Sequence, residues 1–275
     1  MNPDCLAQNG ILGICGKDFK ANEFRELGKS IGAIAFSSRQ KTVIVGRDNR
    51  LSSFELHTFL VEGISSSGAN VIDLGIVPLP LLRFAMRNFP ASLGVLVTGQ
   101  NLSAQHNGLI IEASEGKSAQ TEMKKIIAVF RSRDFSSGNG RIARKSVNPE
   151  YFGAARKSLG KPEKNLKIIV DSGNSASGNF LVKLLRIQGH KVLPINCSPD
   201  GRFPNHLPEP EDENNTSELR KEILRRKAGF GFALDCNAKH VVAFDSKGKK
   251  IQKKPNSGTD AMIFTARLAN SASKK

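Results

Sequence analysis

Short apolar runs alternate along the chain with longer segments whose apolar residues recur every three or four positions. Residues 42–45, 71–75 and 93–97 are apolar runs bounded by turn-forming residues, and they predict buried β-strands. Residues 21–35 have apolar side chains at helical spacing and predict an amphipathic helix. Strands and helices that alternate at this interval are typical of an α/β layer fold.

The second half of the chain repeats this pattern. Its predicted strands include residues 166–171, 191–195 and 231–235, and a basic helix is predicted over 217–227. Residues 132–146 are rich in Ser, Gly and Arg and are typical of a linker. The sequence therefore predicts two tandem α/β domains, each a mixed sheet flanked by helices. We place them at residues 1–146 and 147–254, followed by a short C-terminal tail over residues 255–275.

Composition fits a folded, soluble protein but adds an unusual charge. The chain has 39% hydrophobic and 24% charged residues, and 41 Lys and Arg against 25 Asp and Glu give a net charge of +16. The positive electrostatic field of such a charge favours anionic partners. The chain has one Tyr and no Trp, and basic residues do not alternate with aromatic ones. We therefore expect charge scattered over solvated helix faces, and rank nucleic-acid binding below it.

Neither targeting nor cysteine chemistry is indicated. The N-terminal residues lack the basic start and apolar core of a signal peptide, and no apolar run approaches the length of a membrane span. We expect a cytoplasmic protein without a membrane partner. The four cysteines are widely spaced, which favours reduced thiols over disulfides or a zinc site.

The most promising functional segment is the polar loop that follows the apolar run 93–97. A second apolar run begins at residue 109, so the loop tip should lie in solvent, where folds usually place their chemistry. Ser103 and His106 suggest a nucleophile and a base. Their spacing brings them together only on a helix, and no third group orients the histidine. We therefore favour two polar loop residues that face water.

This loop resembles the phosphoserine loop of the α-D-phosphohexomutases, the phosphomannomutase/phosphoglucomutase family, which is V-T-G-S-H-N-P followed by N-G-F-K. The shared residues are Val97, Thr98, Gly99, Asn107 and Gly108. The family's phosphoserine corresponds to Gln100, its histidine to Asn101 and its lysine to Ile110. An amide has no hydroxyl to phosphorylate, and Ile110 cannot transfer a proton. The resemblance implies a degenerate loop over residues 97–108, without its nucleophile and proton-transfer partner.

Residues 46–52, G-R-D-N-R-L-S, resemble another motif of the family, G-R-D-G-R-L-S. A strand end, a basic turn and a helix N-terminus make a corner that suits anions. Arg47, Arg50 and Asn107 are the candidate substrate-binding residues. The alternative, that Arg47 and its neighbour Asp48 only stabilise the turn, stays open. Ser52 with a glutamate three positions later predicts a capping box. The arginine of the family's D-I-R-G segment is replaced by leucine at position 12.

The second half resembles the same family. Residues 200–210, D-G-R-F-P-N-H-L-P-E-P, match the family motif D-G-x-F-P-N-H-x-P-x-P at every specified position. In the family this is mostly a structural loop, so we expect His206 to be a packed loop residue. Residues 172–178 form a Gly-rich turn, but they lack the order of a nucleotide-binding motif, and close packing explains these glycines.

The family's magnesium loop, D-G-D-G-D-R, corresponds to residues 235–240. Only Asp235 remains of its three carboxylates, since Asn237 and Lys239 occupy the other two positions. Mg²⁺ prefers anionic oxygen ligands, and one carboxylate beside an ammonium group is a poor site. We therefore expect a degenerate metal loop and no resident Mg²⁺ or other cofactor.

The resemblance covers only the first two of the family's four domains. It implies a protein of hexose phosphate ancestry that is truncated and catalytically inactive, a pseudoenzyme. Two alternatives stay open. The chain is half of a split mutase, active with a partner chain that supplies domains III and IV, or it is a module that binds a phosphosugar or another anion without chemistry.

Overall fold

The computed structural model describes residues 1–251 and 260–273. Contacts divide the chain into two compact units. The first comprises Met1–Val77, Leu81–Gly99 and Ser103–Val147, and the second comprises Pro78–Pro80, Gln100–Leu102 and the described part of Asn148–Lys275. Each unit contains one mixed sheet with helices, as the sequence predicts for an α/β fold of two domains.

The first sheet has seven strands among the described residues. They are β1 (Leu6–Ala7), β2 (Gly10–Ile14), β3 (Thr42–Arg47), β4 (Asn70–Ile76), β5 (Leu93–Val97), β6 (His106–Ala113) and β7 (Ile142–Arg144). Their order is β1-β2-β6-β5-β3-β4-β7. The four strands β5, β3, β4 and β7 are parallel, and β6, β2 and β1 are joined by antiparallel pairs. This arrangement brings the ends of β3 and β5 to the same edge as the start of β6.

Helices cover this sheet and build its core. The helices of this part of the chain are α1 (Glu23–Phe36), α2 (Ser53–Ser66), α3 (Leu79–Asn88) and α4 (Ala119–Ser132). Phe24 and Leu27 of α1 and Leu60 of α2 pack with Val45 and Val95 from the two central strands. The predicted strands at 42–45, 71–75 and 93–97 and the helix at 21–35 are thereby confirmed, because their apolar positions face this core.

Two local predictions are wrong. Residues 142–144, inside the predicted linker, form β7, in which Ile142 pairs with Val71. All three residues are exposed, so this edge strand has no apolar alternation to reveal it. The capping box is also absent: the side chain of Ser52 makes no capping bond, and its backbone is already helical. Its hydroxyl instead accepts a hydrogen bond from Asn107.

The second sheet has five strands among the described residues. They are β8 (Lys167–Asp171), β9 (Lys191–Ile195), β10 (Phe230–Leu234), β11 (Val241–Asp245) and β12 (Lys250–Ile251), in the order β12-β11-β10-β8-β9. The parallel strands are β10, β8 and β9. The helices that accompany them are α5 (Asn148–Leu159), α6 (Ser177–Ile187), α7 (Ser217–Arg226) and α8 (Ala261–Ala272).

The described part of the predicted tail is a helix of the second unit. Residues 255–259 and 274–275 of that tail, and residues 252–254 of the predicted second domain, lie outside the described residues. Asp260, just before α8, accepts a hydrogen bond from the Tyr151 hydroxyl at 2.7 Å. Asn270 bonds His190 at 3.0 Å, and the hydroxyl of Ser273 accepts the Glu163 N–H at 3.1 Å. These bonds fix α8 to α5 and to the segments before β8 and β9.

In the part of the chain that the structure describes, no helix combines the length and apolarity needed to cross a bilayer. The four cysteines are free thiols, of which Cys5, Cys197 and Cys236 are buried.

Candidate functional site

The polar loop begins where β5 ends. Thr98 is buried, and its N–H donates to the carbonyl of Gly108 at 3.1 Å. The N–H of Gly99 donates to the carboxylate of Asp48 at 3.3 Å. Gln100 follows with a left-handed backbone, φ 55°, which only a minority of non-glycine residues adopt. The loop thus turns sharply at the position that corresponds to the phosphoserine.

A buried ion pair holds this loop. Asp48 follows β3, and its carboxylate accepts the N–H and the Nε–H of Arg50, each at 3.1 Å, and the hydroxyl of Ser53. The Arg50 guanidinium also donates to the carbonyl of Ser103 and, at 3.1 Å, to that of His106. Arg50 is only 1% exposed. Its charge is therefore used inside the protein, by Asp48 and by the carbonyls of the loop.

Asn107 connects β6 to the start of α2. Its amide nitrogen donates to the hydroxyls of Ser52 at 2.8 Å and Ser53 at 2.9 Å, and its amide oxygen accepts the N–H of Gly108 at 2.8 Å. The side chain is fully buried. Of the three candidate substrate-binding residues, Arg50 and Asn107 are thus part of one buried network that meets at Ser53 and Asp48.

Arg47 differs from these two residues because it is only partly buried. It ends β3, and its guanidinium donates to the carbonyl of Asp48 at 3.1 Å and lies 5.4 Å from the centre of the Phe54 ring. Partial burial lowers its pKa, while Asp48 and Asp73 oppose that shift. An arginine remains charged under these conditions. Arg47 is therefore the candidate that can meet a dissolved anion, whereas the turn itself is stabilised chiefly by Asp48 and Arg50.

Ser103 and His106 do come together, contrary to the expectation that only a helix would allow it. The Ser103 hydroxyl lies 2.8 Å from Nδ1 of His106, and the N–H of His106 donates to the carbonyl of Ser103 at 3.0 Å. A tight turn, closed by this backbone bond, replaces the helix. Because Arg50 binds both carbonyls, the contact belongs to the same network that holds the loop.

Of the other three family positions, one lies in the loop and two lie in strands. Asn101 is partly exposed in the loop, next to Gln100. Ile110 is buried in β6, opposite Leu96 and Gly10, and Leu12 in β2 pairs with Gly108. The aliphatic side chains at 12 and 110 extend the apolar packing of this sheet. They supply neither the positive charge nor the proton donor of the family residues.

The candidate metal loop follows β10 in the second unit. Asp235 is buried, and its Oδ1 accepts the N–H of Lys239 at 2.8 Å and that of His240 at 3.1 Å. Burial raises the pKa of the Asp235 carboxyl to about 6, while His240 and these backbone N–H groups oppose the shift. Lys239 and His240 are exposed. One oxygen of this carboxylate is thus used by the backbone of its own loop.

This donor set does not fit Mg²⁺. Among the described residues, no three His, Cys, Asp or Glu side chains converge to hold a metal ion. In residues 235–240, the two positions of the missing carboxylates carry an amide and an ammonium group. A hard cation needs several oxygen ligands, preferably anionic, so this loop lacks both the number and the charge.

A second buried carboxylate, which the sequence did not indicate, lies at the end of β8. Asp171 is fully buried, and its two oxygens lie 3.1 and 3.2 Å from Nε2 of His206. Asn196 donates to the same carboxylate at 3.4 Å. Burial lowers the pKa of His206, but the hydrogen bond and charge of Asp171 outweigh it and raise the pKa above its ordinary value. His206 is thus a packed residue that ties its loop to the sheet.

Asp171 is the site residue that sequence reasoning missed, and Asp48 was named only as a residue of the turn. Asp48 follows a buried parallel strand and Asp171 ends one, both precede a glycine- or asparagine-containing turn, and each accepts a backbone N–H of that turn. An aspartate in this position is a frequent turn former, and that signal was available. Nothing in the spacing shows that Arg50 and His206 are their partners.

Comparisons with known proteins agree with this architecture. Residues 6–137 match the family model described as phosphoglucomutase/phosphomannomutase, alpha/beta/alpha domain I, and residues 149–248 match domain II of the same family. A phosphomannomutase/phosphoglucomutase of Pseudomonas putida is 31% identical over 240 residues, which are 86% of this chain and 51% of that protein. One of Pseudomonas aeruginosa is 30% identical over 258 residues, 94% of this chain and 53% of that protein.

A solved structure gives the same result. A phosphoglucomutase/phosphomannomutase family protein from Burkholderia thailandensis superposes with a TM-score of 0.84 at 25% identity, over 90% of this chain and 56% of that protein. The chain therefore spans about half the length of the relatives it matches.

Proposed function

This chain belongs to the phosphoglucomutase/phosphomannomutase family, and from that premise we propose that its 275 residues have no hexose phosphate mutase activity on their own. The observation that carries the proposal is Gln100. It occupies the phosphoserine position, where an amide cannot form the phosphate ester that the family reaction requires. The loop keeps the residues that shape it in the family, but it lacks the serine oxygen that would accept the phosphoryl group.

The metal loop supports the same proposal. Phosphoryl transfer depends on positioning and on neutralising charge at the transferred group. Asp235 accepts two N–H groups of its own loop, and its burial favours the protonated acid. Since the neighbouring positions add no carboxylate, we expect no resident Mg²⁺. Without the phosphoryl-accepting hydroxyl and without the metal ligands, these loops lack the groups that phosphoryl transfer needs.

A partner chain is the second candidate, and one observation favours it. Leu51 and Phe54, at the start of α2, are 71% and 63% exposed, which is unusual for large apolar side chains. The Phe54 ring lies against Arg47, which ends β3 next to the candidate loop. A chain that supplies further domains of the family and covers these two side chains would make this protein half of a split mutase.

Anion binding without chemistry is the third candidate. Arg47 is charged, partly exposed and held against Phe54, so it is positioned to bind a phosphosugar or another anion. Calorimetric titration with hexose phosphates tests this role. Heat that disappears in Arg47→Ala supports it, and no heat at millimolar ligand removes it.

Phosphoryl acceptance by the loop tests the main proposal. The purified chain is incubated with a hexose bisphosphate and Mg²⁺, and its intact mass and peptide masses are measured, with a curated relative as the positive control. We expect the relative to be phosphorylated. We expect both the parent chain and the Gln100→Ser variant to stay unmodified, because the hydroxyl that the variant restores still has no metal loop beside it. A phosphoryl group on residues 98–107 of the parent, Ser103 included, would overturn the proposal.

A further inference from the structure

Positive charge is concentrated in one part of the second unit, and the proposed function does not use it. Residues 151–199 contain eight Lys or Arg against two Asp or Glu, and one of the two acids, Asp171, is buried. Six acidic residues of this unit occur instead within 209–222. The charge is therefore separated along the chain, in contrast to the scattered distribution that we expected from composition.

Three adjoining hollows lie in this basic part of the unit. Their volumes are 720, 470 and 390 Å³. The first and second share Ile187, and the second and third share Asn179, Val182 and Arg186, so together they form one groove along α6. We call it the basic groove. Its cations are Arg156, Lys157, Lys161, Lys183 and Arg186. None of the described residues that line it is acidic.

The cations of α6 form a row. Asn179, Lys183 and Arg186 are four and then three residues apart, which places them on one face of the helix. Lys183 lies 4.7 Å from the Phe152 ring, and Arg186 donates to the carbonyl of Val192 at 3.1 Å, so both side chains are held in place. Seven residues of helix rise about 10 Å. Along the axis of a duplex this length passes about three phosphates of one strand, at about 3.4 Å of axial rise per phosphate.

We propose that the basic groove binds the phosphate backbone of a nucleic acid without reading its sequence. A row of cations along a groove suits a linear polyanion better than a single small anion, which needs donors converging on one point. Amide side chains in the lining, such as Asn165 and Asn179, add neutral donors for phosphate or sugar oxygens. No aromatic side chain is among the described residues of the lining, so base stacking contributes nothing.

Salt-dependent binding to a generic fluorescent duplex, followed by anisotropy between about 50 and 200 mM salt, tests the proposal. In a plot of the logarithm of the binding constant against the logarithm of the salt concentration, each lost phosphate contact reduces the magnitude of the slope by about 0.9. We expect Lys183→Glu with Arg186→Glu to weaken binding at least ~10-fold and to reduce the slope by about 2. Lys221→Glu with Lys247→Glu is the matched control, because both residues are exposed outside the groove. It changes the net charge equally and should keep nearly the affinity of the parent.

A second pair of substitutions distinguishes lost binding from a folding defect, which is needed because Arg186 also bonds the carbonyl of Val192. Arg156→Glu with Lys157→Glu changes two exposed residues of α5 that line the same groove, and it should weaken binding in the same way. Equal losses in the groove variants and the control would overturn the proposal, because they would show diffuse attraction. Binding that is insensitive to salt would also overturn it. Tighter binding to polyglutamate than to the duplex would do so too, in favour of an acidic protein partner.

Discussion

We expect Arg50→Ala to lower the free energy of unfolding of the first unit by about 3 to 5 kcal/mol, the range for removing one partner of a buried ion pair. The substitution removes the guanidinium that is hydrogen-bonded to the buried carboxylate of Asp48, and with it the donor to the carbonyls of Ser103 and His106. Chemical denaturation followed by circular dichroism measures the change. The loop 98–106 should also become accessible to limited proteolysis.

Arg47→Ala is the matched control. Arg47 belongs to the same turn, but it is partly exposed, donates to the backbone carbonyl of Asp48 and lies against the Phe54 ring. Its loss should cost about 1 kcal/mol or less. Equal destabilisation by the two variants would contradict the view that Arg50 is the buried support of the loop and Arg47 its exposed cation.

The second large effect concerns Asp235. Its pKa of about 6 in the folded chain lies above the ordinary value of 3.8, so the folded state retains a proton that the unfolded state releases. The contribution of Asp235 to the free energy of unfolding should therefore fall as pH rises from about 4 to above 6. Asp235→Asn keeps an oxygen for the N–H groups of Lys239 and His240 and removes the buried charge. We expect it to be about 2 kcal/mol more stable than the parent at pH 8, and nearly equal at pH 4.

Denaturant titrations of the two proteins at both pH values test this expectation, and adding millimolar Mg²⁺ at pH 8 should change neither midpoint. A variant less stable than the parent at pH 8, or a parent that Mg²⁺ stabilises and the variant does not, would show a carboxylate engaged with a cation. Such a result would contradict the account of this loop.

Periodicity was enough to predict the layers of this fold, because most strands and helices face a core on at least one side. It failed at β7, an edge strand whose three side chains are all exposed. Ser52 shows a second limit: the local capping pattern was present, but Asn107, which is 55 positions away, binds the hydroxyl instead. Local patterns predict elements well, and they do not reveal which distant residue competes for a side chain.

The candidate site shows the same limit. The motifs identified the loops and the replaced residues Gln100, Asn237 and Lys239, since these depend on residue identity alone. They did not show that Arg50 is buried against Asp48, or that Asp171 binds His206. Both pairs join residues whose roles depend on burial, and burial follows only from the packed sheet. The spacing of Ser103 and His106 favoured two separate loop residues over a contact between them, and a tight turn makes the contact possible.

A coupled assay for the conversion of hexose 1-phosphate to hexose 6-phosphate, with Mg²⁺ and the purified chain alone, is the most direct test of the central claim. We predict no rate above background for the parent chain, while a curated relative at the same concentration turns over. A rate that is proportional to the concentration of the parent chain and is lost on substitution of Gln100 would contradict the claim that this loop has kept its frame without its chemistry.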